Sequence, residues 1–235
     1  MRNILLLLLV VLACACRKNY KNNNAIKNES GKFAICNSRL TACATSSRAA
    51  YCLFGYKWGA DSSFVEVGMD ATGPAASGGV VTFSFQEENG PVNTHRQINL
   101  ASKSFSNLVG CAKSEIRNAL DTWSQAADID FRELPENSDS DIRFFVADIV
   151  QTGVGYPNYS EASCSAIKGT MIINAGTSIN DCNDFFLLSL HEIGHVLGLG
   201  HVSTRNVMNP DFFDFNLDGL QKGDREGIIQ IYGEN

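Results

Sequence analysis

Residues 191–201 read His191-Glu192-Ile193-Gly194-His195-Val196-Leu197-Gly198-Leu199-Gly200-His201, a run that holds three of the four histidines in the chain with one acid between them. The spacing predicts a helix over residues 184–198. Each helical residue advances about 100° around the axis, so His191 and His195 stand one above the other on a single face and can grip one ion. Phe186, Leu190, Ile193 and Leu197 fall in a stripe on a different face, which gives the helix a side to bury while the histidines point away from it. Glu192 projects beside the ligand face, near enough to handle a metal-bound water without being a ligand. Gly198, three residues past His195, is placed to take the left-handed conformation that ends a helix. The resulting turn would bring His201 round as a third ligand, which a straight helix could not do. Zinc lowers the pKa of a bound water to about 7, and a carboxylate can accept that proton as the hydroxide attacks a polarised carbonyl. The plainer reading, an amphipathic helix with solvated histidines, leaves the added glycine and third histidine without a reason.

The pattern His191-Glu192-x-x-His195-x-x-Gly198-x-x-His201 resembles the extended zinc motif of the metzincin metalloendopeptidases, which also carry a methionine turn beneath the metal. Asn206-Val207-Met208-Asn209-Pro210 supplies that methionine shortly after His201. Met208-x-Pro210 resembles the matrixin branch in particular, as do the closing stretch Asp224 to Gly233 and the segment Ile116 to Phe145, with Trp123 and Ser140-Asp141-Ile142 in familiar places. The resemblance covers roughly residues 79–233, tightly at the zinc site and loosely elsewhere. It implies an α+β, zincin-like catalytic domain: a twisted, mostly parallel sheet with an antiparallel edge strand, two long helices and a C-terminal helix. It also implies a zinc-dependent endopeptidase acting on extended protein or peptide substrates. Zinc would be held by His191, His195, His201 and a water, with Glu192 as general base and then proton donor to the leaving amine. Met208 would form the hydrophobic base under the ligands. Pro210 and the residues after it would line the specificity pocket, although Phe212 and Phe213 are equally good core residues.

There are departures from the family. Matrixins usually hold a second, structural zinc with further histidines, and here only His95 remains outside the motif. A histidine-built structural zinc is therefore not expected. No cysteine-switch sequence of the family's usual form is visible. A third reading, besides peptidase and a surface binding protein that keeps a non-catalytic zinc site, is a zinc hydrolase acting on something other than peptide bonds. Closed structural zinc sites have four protein ligands and this motif offers three, and the retained Glu192 also favours catalysis.

At 235 residues the chain is long enough for one well-cored domain and an accessory segment. The net charge of −6 offers no basic face for nucleic acid. Met1-Arg2-Asn3 followed by Ile4 to Leu12 reads as an export signal, too short to span a membrane stably. Val11-Leu12-Ala13-Cys14 resembles a bacterial lipobox, which would put a lipid on Cys14, with Ala15-Cys16 a less regular alternative. The other reading is an ordinary signal peptide cut after Ala13 or Ala15. Residues 1–16 are thus a signal, 17–78 a polar tether and cysteine-containing segment, and 79–235 the catalytic domain of a monomer. The protein is expected in the cell envelope as a lipoprotein, or secreted, with membrane contact only through such an anchor.

Cys36, Cys43, Cys52, Cys111, Cys164 and Cys182 remain, an even number in a chain expected to meet an oxidising environment, so up to three disulfides are expected. Cys164 and Cys182 flank an expected strand and could brace the approach to the zinc helix. Connectivity is not set by sequence. The alternative for Cys36, Cys43 or Cys52 is a thiolate on the zinc as an inhibitory plug, pairing being the commoner fate.

Val81, Phe83 and Phe85 alternate with Thr82 and Ser84, as in a half-buried strand. Ala112, Ile116, Ala119, Leu120, Trp123 and Ala127 recur at helical spacing, and Trp123 is read as core. Ile129 with Phe131, and Ile142 with Phe144 and Val146, give two further strands. Met171-Ile172-Ile173 gives another, which the resemblance places at the antiparallel edge beside the cleft, where a substrate could add as one more strand. Asp214 to Gly219 begins like a calcium loop, but its twelfth position is Arg225 where such loops need a bidentate glutamate. Calcium there competes with an Asx-rich turn capping the last helix.

Overall fold

The computed structural model describes residues 42–43, 50–59, 77–88, 100–159 and 166–235. The expected leader, Cys14, Cys16, Cys36, His95 and Cys164 lie outside these residues. In chain order the elements are β1 (Ala42–Cys43), β2 (Cys52–Leu53), β3 (Gly79–Gln86), α1 (Ala112–Ser124), β4 (Ile129–Glu133), β5 (Ile142–Ala147), β6 (Gly153–Tyr159), β7 (Ala166–Asn174), α2 (Cys182–Leu197), β8 (Leu199–Gly200) and α3 (Lys222–Tyr232). Short 3-10 turns cover Phe105–Asn107 and Phe212–Phe215.

The fold is α+β. Its main sheet has the order β4-β3-β5-β7-β6. The pairings β3 with β4, β3 with β5, and β5 with β7 are parallel, and β6 runs antiparallel on β7. Val81, Phe83 and Phe85 of β3, Phe144 and Val146 of β5, and Met171 and Ile173 of β7 share one core with the buried faces of α1 and α2. Phe145, Ala147 and Ile172 fill a smaller cluster with Leu100, Ile149 and Val154. Period-two alternation therefore gives way in β5 and β7 to runs buried on both faces, as befits strands inside a largely parallel sheet.

One strand expectation changes. Met171-Ile172-Ile173 belongs to β7, an inner strand parallel to β5 with Met171 opposite Phe144, and the antiparallel edge is β6 instead. The apolar run is inner because both its faces are covered, Met171, Ile172 and Ile173 being at most 1% exposed. Strand β6, Gly153-Val154-Gly155-Tyr156-Pro157-Asn158-Tyr159, carries two glycines and a proline, residues that weaken the strand signal but suit an edge.

Helix α1 buries Ala112, Ile116, Ala119, Leu120 and Trp123, the expected stripe, and Trp123 donates from Nε1 to the Leu190 carbonyl at 3.2 Å. Helix α2 begins under an Asp181 cap that accepts from the amides of Asn183 and Asp184, a satisfied N-terminus. The expected stripe of Phe186, Leu190, Ile193 and Leu197 is only part of its buried surface. Every residue from Leu187 to Leu197 is buried, as is Phe185, while Phe186 is only partly so. A helix enclosed on all sides does not show a single apolar face. Cys111, the residue before α1, is joined to Cys182, the first of α2, so Cys182 braces α2 against α1.

The stretch from Ala50 to Gly59, read from sequence as part of the segment before the domain, is built into the same core. Cys52, Leu53, Tyr56 and Trp58 are at most 4% exposed. Strand β2 lies between β1 and β8 in a small antiparallel sheet, and Cys43 and Cys52 form a disulfide across β1 and β2. These two thiols are thus paired and unavailable as a plug on the metal.

The Asp214–Gly219 stretch does not form a cation loop. It holds a 3-10 turn and a left-handed Asn216, the Arg205 guanidinium occupies the Phe215 carbonyl at 2.9 Å, and among the described residues its carboxylates join no cluster of three ligands. Nor does it cap the last helix. A capping box of Gln221 and Asp224 does so.

Candidate metal centre and its acid

Helix α2 places His191 and His195 one turn apart. Gly198 then takes φ 111, the left-handed cap that glycine adopts without strain, and the chain turns back through β8 to His201. The Nε2 atoms of His191 and His195 lie 3.2 and 3.0 Å from Nε2 of His201. All three expected ligands are brought together.

The opposite nitrogens decide what those atoms are. Nδ1 of His191 faces the Val207 carbonyl at 2.7 Å and Nδ1 of His195 faces the Leu199 carbonyl at 2.9 Å. A carbonyl only accepts, so each Nδ1 carries the proton and donates, leaving Nε2 with a bare lone pair. Burial pushes His191 down to about 4 and His195 well below its usual value, and lowers His201 as well. Neutral nitrogens aimed at one point repel one another unless a cation lies between them. Three imidazole nitrogens on a tetrahedral zinc sit about 3.3 Å apart at the usual bond lengths. The donor set therefore fits zinc, with His201 the exposed member of the three.

Glu192 is 7% exposed, and burial raises its carboxyl to about 7 against the pull of a hydrogen bond from the Gly155 amide. That amide, in edge strand β6, donates to Glu192 Oε2 at 2.5 Å. A Cβ at Gly155 would collide with the Glu192 main-chain carbonyl, so the close approach of β6 to α2 depends on glycine there.

Met208 is buried with its sulfur against Gly194, where a Cβ would collide with it. This puts the methionine against the helix turn between His191 and His195. Phe212 stacks on the His191 ring at 4.7 Å and is buried. Phe213 is 42% exposed and lines a groove with Thr152, Ser178, Ile179, Asn180, Asp181 and Asp184. Of the two phenylalanines, then, one packs on the His191 ring and the other faces a groove, while Pro210 is exposed.

Sequence reading missed a further layer of residues. Asp224 of α3 is 1% exposed and accepts hydrogen bonds from the amides of Val207 at 2.9 Å, Met208 at 3.1 Å and Gln221 at 2.8 Å. It thereby holds the turn whose Val207 carbonyl orients His191. Gln221 and Asp224 form a capping box in the structure, but Gln-x-x-Asp is not the Ser/Thr-x-x-Glu/Gln pattern that marks a helix start in sequence. Nothing local marks Gly155 as the partner of Glu192, or Tyr56 as the donor to His195.

Comparison with known proteins follows the same lines. The family model described as Matrixin matches residues 94–233. Matrix metalloproteinase-16 of Rattus norvegicus is 27% identical over 165 residues, covering 59% of this chain and 27% of that protein. The hatching enzyme of Paracentrotus lividus is 27% identical over 139 residues, covering 52% of this chain and 23% of its own. Matrix metalloproteinase-25 of Homo sapiens is 36% identical over 64 residues, or 25% of this chain and 11% of its own. The first of these matches spans about a quarter of the relative's length.

Proposed function

The chain belongs to the matrixin family, and from that premise we propose that it is a zinc-dependent endopeptidase that hydrolyses peptide bonds in extended polypeptides. The observation that carries the reading is the convergence of three neutral imidazole nitrogens, at 3.0 and 3.2 Å, with two of them on the helix that also carries the buried carboxyl of Glu192. His191, His195 and His201 would hold the ion. When bound, zinc supplies a polarising charge and a more acidic water.

The remaining chemistry belongs to the chain's own groups. Glu192, raised to about 7, has a proton affinity suited to taking a proton from the attacking water and passing it to the leaving amine near neutrality. The Gly155 amide holds that carboxylate in one orientation through Oε2 and leaves Oε1 for the water. Strand β6, the last of the sheet and partly buried beside α2, would offer main-chain groups other than the Gly155 amide to an extended substrate, and the groove by Phe213 is suited to a substrate side chain. The two disulfides among the described residues support an exported setting, since such bonds persist in oxidising compartments. Among the described residues no helix is long and apolar enough to cross a membrane, and a lipid on Cys14 remains a proposal from the leader sequence.

Digestion of unfolded casein or gelatin tests the reading. We expect cleavage that a zinc chelator abolishes and zinc restores. Zinc bound through the histidines with no cleavage would favour a binding protein with a non-catalytic site. Zinc-dependent hydrolysis of other bonds alone would move the enzyme to another class.

A further inference from the structure

A helix ends in carbonyls that have no partner within it. At the end of α2 these carbonyls surround the second metal ligand, and the segment before β3 takes them one after another. Tyr56 Oη donates to the His195 carbonyl at 2.6 Å, Trp58 Nε1 to that of Val196 at 3.0 Å, and the Phe54 amide to that of Gly198 at 2.8 Å. The Leu197 carbonyl accepts from Tyr232 Oη of α3 at 2.8 Å, and that same oxygen accepts from the Trp58 amide at 3.2 Å.

The contact continues past the helix. Strand β2 pairs with β8 so that Leu53 lies opposite Leu199 and Cys52 opposite Gly200, the two residues before His201. The Phe54 ring lies 5.7 Å from the His195 ring. A Cβ at Gly198 would meet the Tyr56 carbonyl at 2.7 Å, so the turn and the strap fit only through glycine. All of these strap residues precede the stretch 94–233 that matches the family.

We infer that residues 52–58 form a positioning strap for the metal ligands His195 and His201, with Tyr56 and Trp58 as positioning residues. The inference rests on reading the three histidines as the zinc site. Its physical ground is that His201 hangs from Gly198 and Gly200, the residue type with the greatest backbone freedom. Two ligands on a helix are ordered by the helix, whereas the third must be ordered by something else or at the expense of metal affinity. The strap fixes both sides of that turn. Its loss should appear in zinc affinity more than in the stability of the fold.

Zinc affinity of the full chain is measured by competition with a chromophoric chelator, beside thermal unfolding of the zinc-free chain. The variants are Tyr56→Phe, Trp58→Phe, His195→Ala and, as a control, Thr82→Val, which removes a hydroxyl bonded to Asp141 in β3. Tyr56→Phe and Trp58→Phe are expected each to weaken zinc binding about 10-fold or more, with Tm falling no further than in Thr82→Val, whose zinc affinity is unchanged. Zinc affinity within about 2-fold of the unsubstituted chain in both strap variants, well short of the usual effect of ligand-orienting groups, overturns the inference whatever their Tm. If His195→Ala abolishes zinc binding while the strap variants bind normally, the strap alone is wrong. If His195→Ala binds zinc like the unsubstituted chain, the zinc reading falls and the strap with it.

Discussion

The carbonyl oxygen of Val207 lies 2.7 Å from Nδ1 of His191, so a main-chain group on the methionine turn sets the tautomer of a proposed metal ligand on α2. The turn is held in place by Asp224, which accepts from the amides of Val207 and Met208. Three elements distant in sequence thus fix one imidazole, in the way that outer partners of metal ligands generally do.

Asp224→Ala removes the acceptor of three amides. Leaving a buried donor without a partner costs about 1–3 kcal/mol, and with the Val207 and Met208 amides buried and that of Gln221 partly so we expect a loss of roughly 3 kcal/mol in stability. Zinc affinity should fall about 10-fold or further. Chemical denaturation and chelator competition measure the two effects, and an unchanged zinc affinity in a folded variant would separate Asp224 from the metal centre.

Glu192→Ala is expected to keep zinc and lose peptidase activity by at least about 100-fold, the lower range for a general base. His195→Ala should lose both. Full activity in Glu192→Ala, measured on casein with zinc content checked, would end the proposed mechanism.

Gly155→Ala puts a methyl against the Glu192 carbonyl. Overpacking of this kind costs about 1–3 kcal/mol, and here the strain falls between β6 and the carboxylate it orients. We expect kcat to drop while zinc content stays normal. An enzyme with unaltered kcat would show that the Gly155 amide has no part in placing Glu192.

Burial lowers His191 from 6.5 to about 4 in the metal-free fold. The unfolded chain therefore binds a proton more readily at His191. This group, with His195 and His201 lowered likewise, takes stability from the zinc-free protein as pH falls from about 6.5 towards 4, while the raised Glu192 carboxyl acts in the opposite sense and offsets part of the loss. The full loss from His191 is about 3 kcal/mol, at 1.36 kcal/mol for each pKa unit. Zinc-loaded protein should resist over the upper part of that range, because the metal competes with the proton. Denaturation midpoints against pH, with and without zinc, check it; equal slopes for the two forms would contradict it.

Replacing Cys111 and Cys182 together by serine opens a bridge that spans 71 residues. On the chain-entropy estimate this costs about 4 kcal/mol. The effect should be a lower Tm with the zinc site retained in the fraction that stays folded, read by calorimetry on the zinc-loaded protein. A Tm equal to that of the intact chain would mean that the contacts between α1 and α2 alone hold the two helices.

What could be read from the sequence was local. His191 and His195 were legible because a helix brings residues four apart together, and Gly198 because a left-handed cap has one preferred residue. The stripe on α1 from Ala112 to Trp123 was legible for the same reason, since one side of that helix is solvated and the other buried. Periodicity failed at α2, where Phe185 and not Phe186 is enclosed, because a helix buried all round has no polar face to set the phase. It also failed at β6, whose glycines and proline do not look like a strand.

By itself the sequence determined which residues to propose as ligands and acid, the turn that brings the third histidine round and the class of fold. Tertiary structure alone decided which strand forms the edge, that Glu192 meets the Gly155 amide, that Asp224 secures the methionine turn, and that Tyr56 caps a helix 139 residues away. The reason is physical. Helical periodicity and cap conformations act within a few residues, whereas these contacts join groups brought close only when distant elements pack. Their partners are fixed by the folded geometry of the whole domain and not by the spacing of neighbours along the chain.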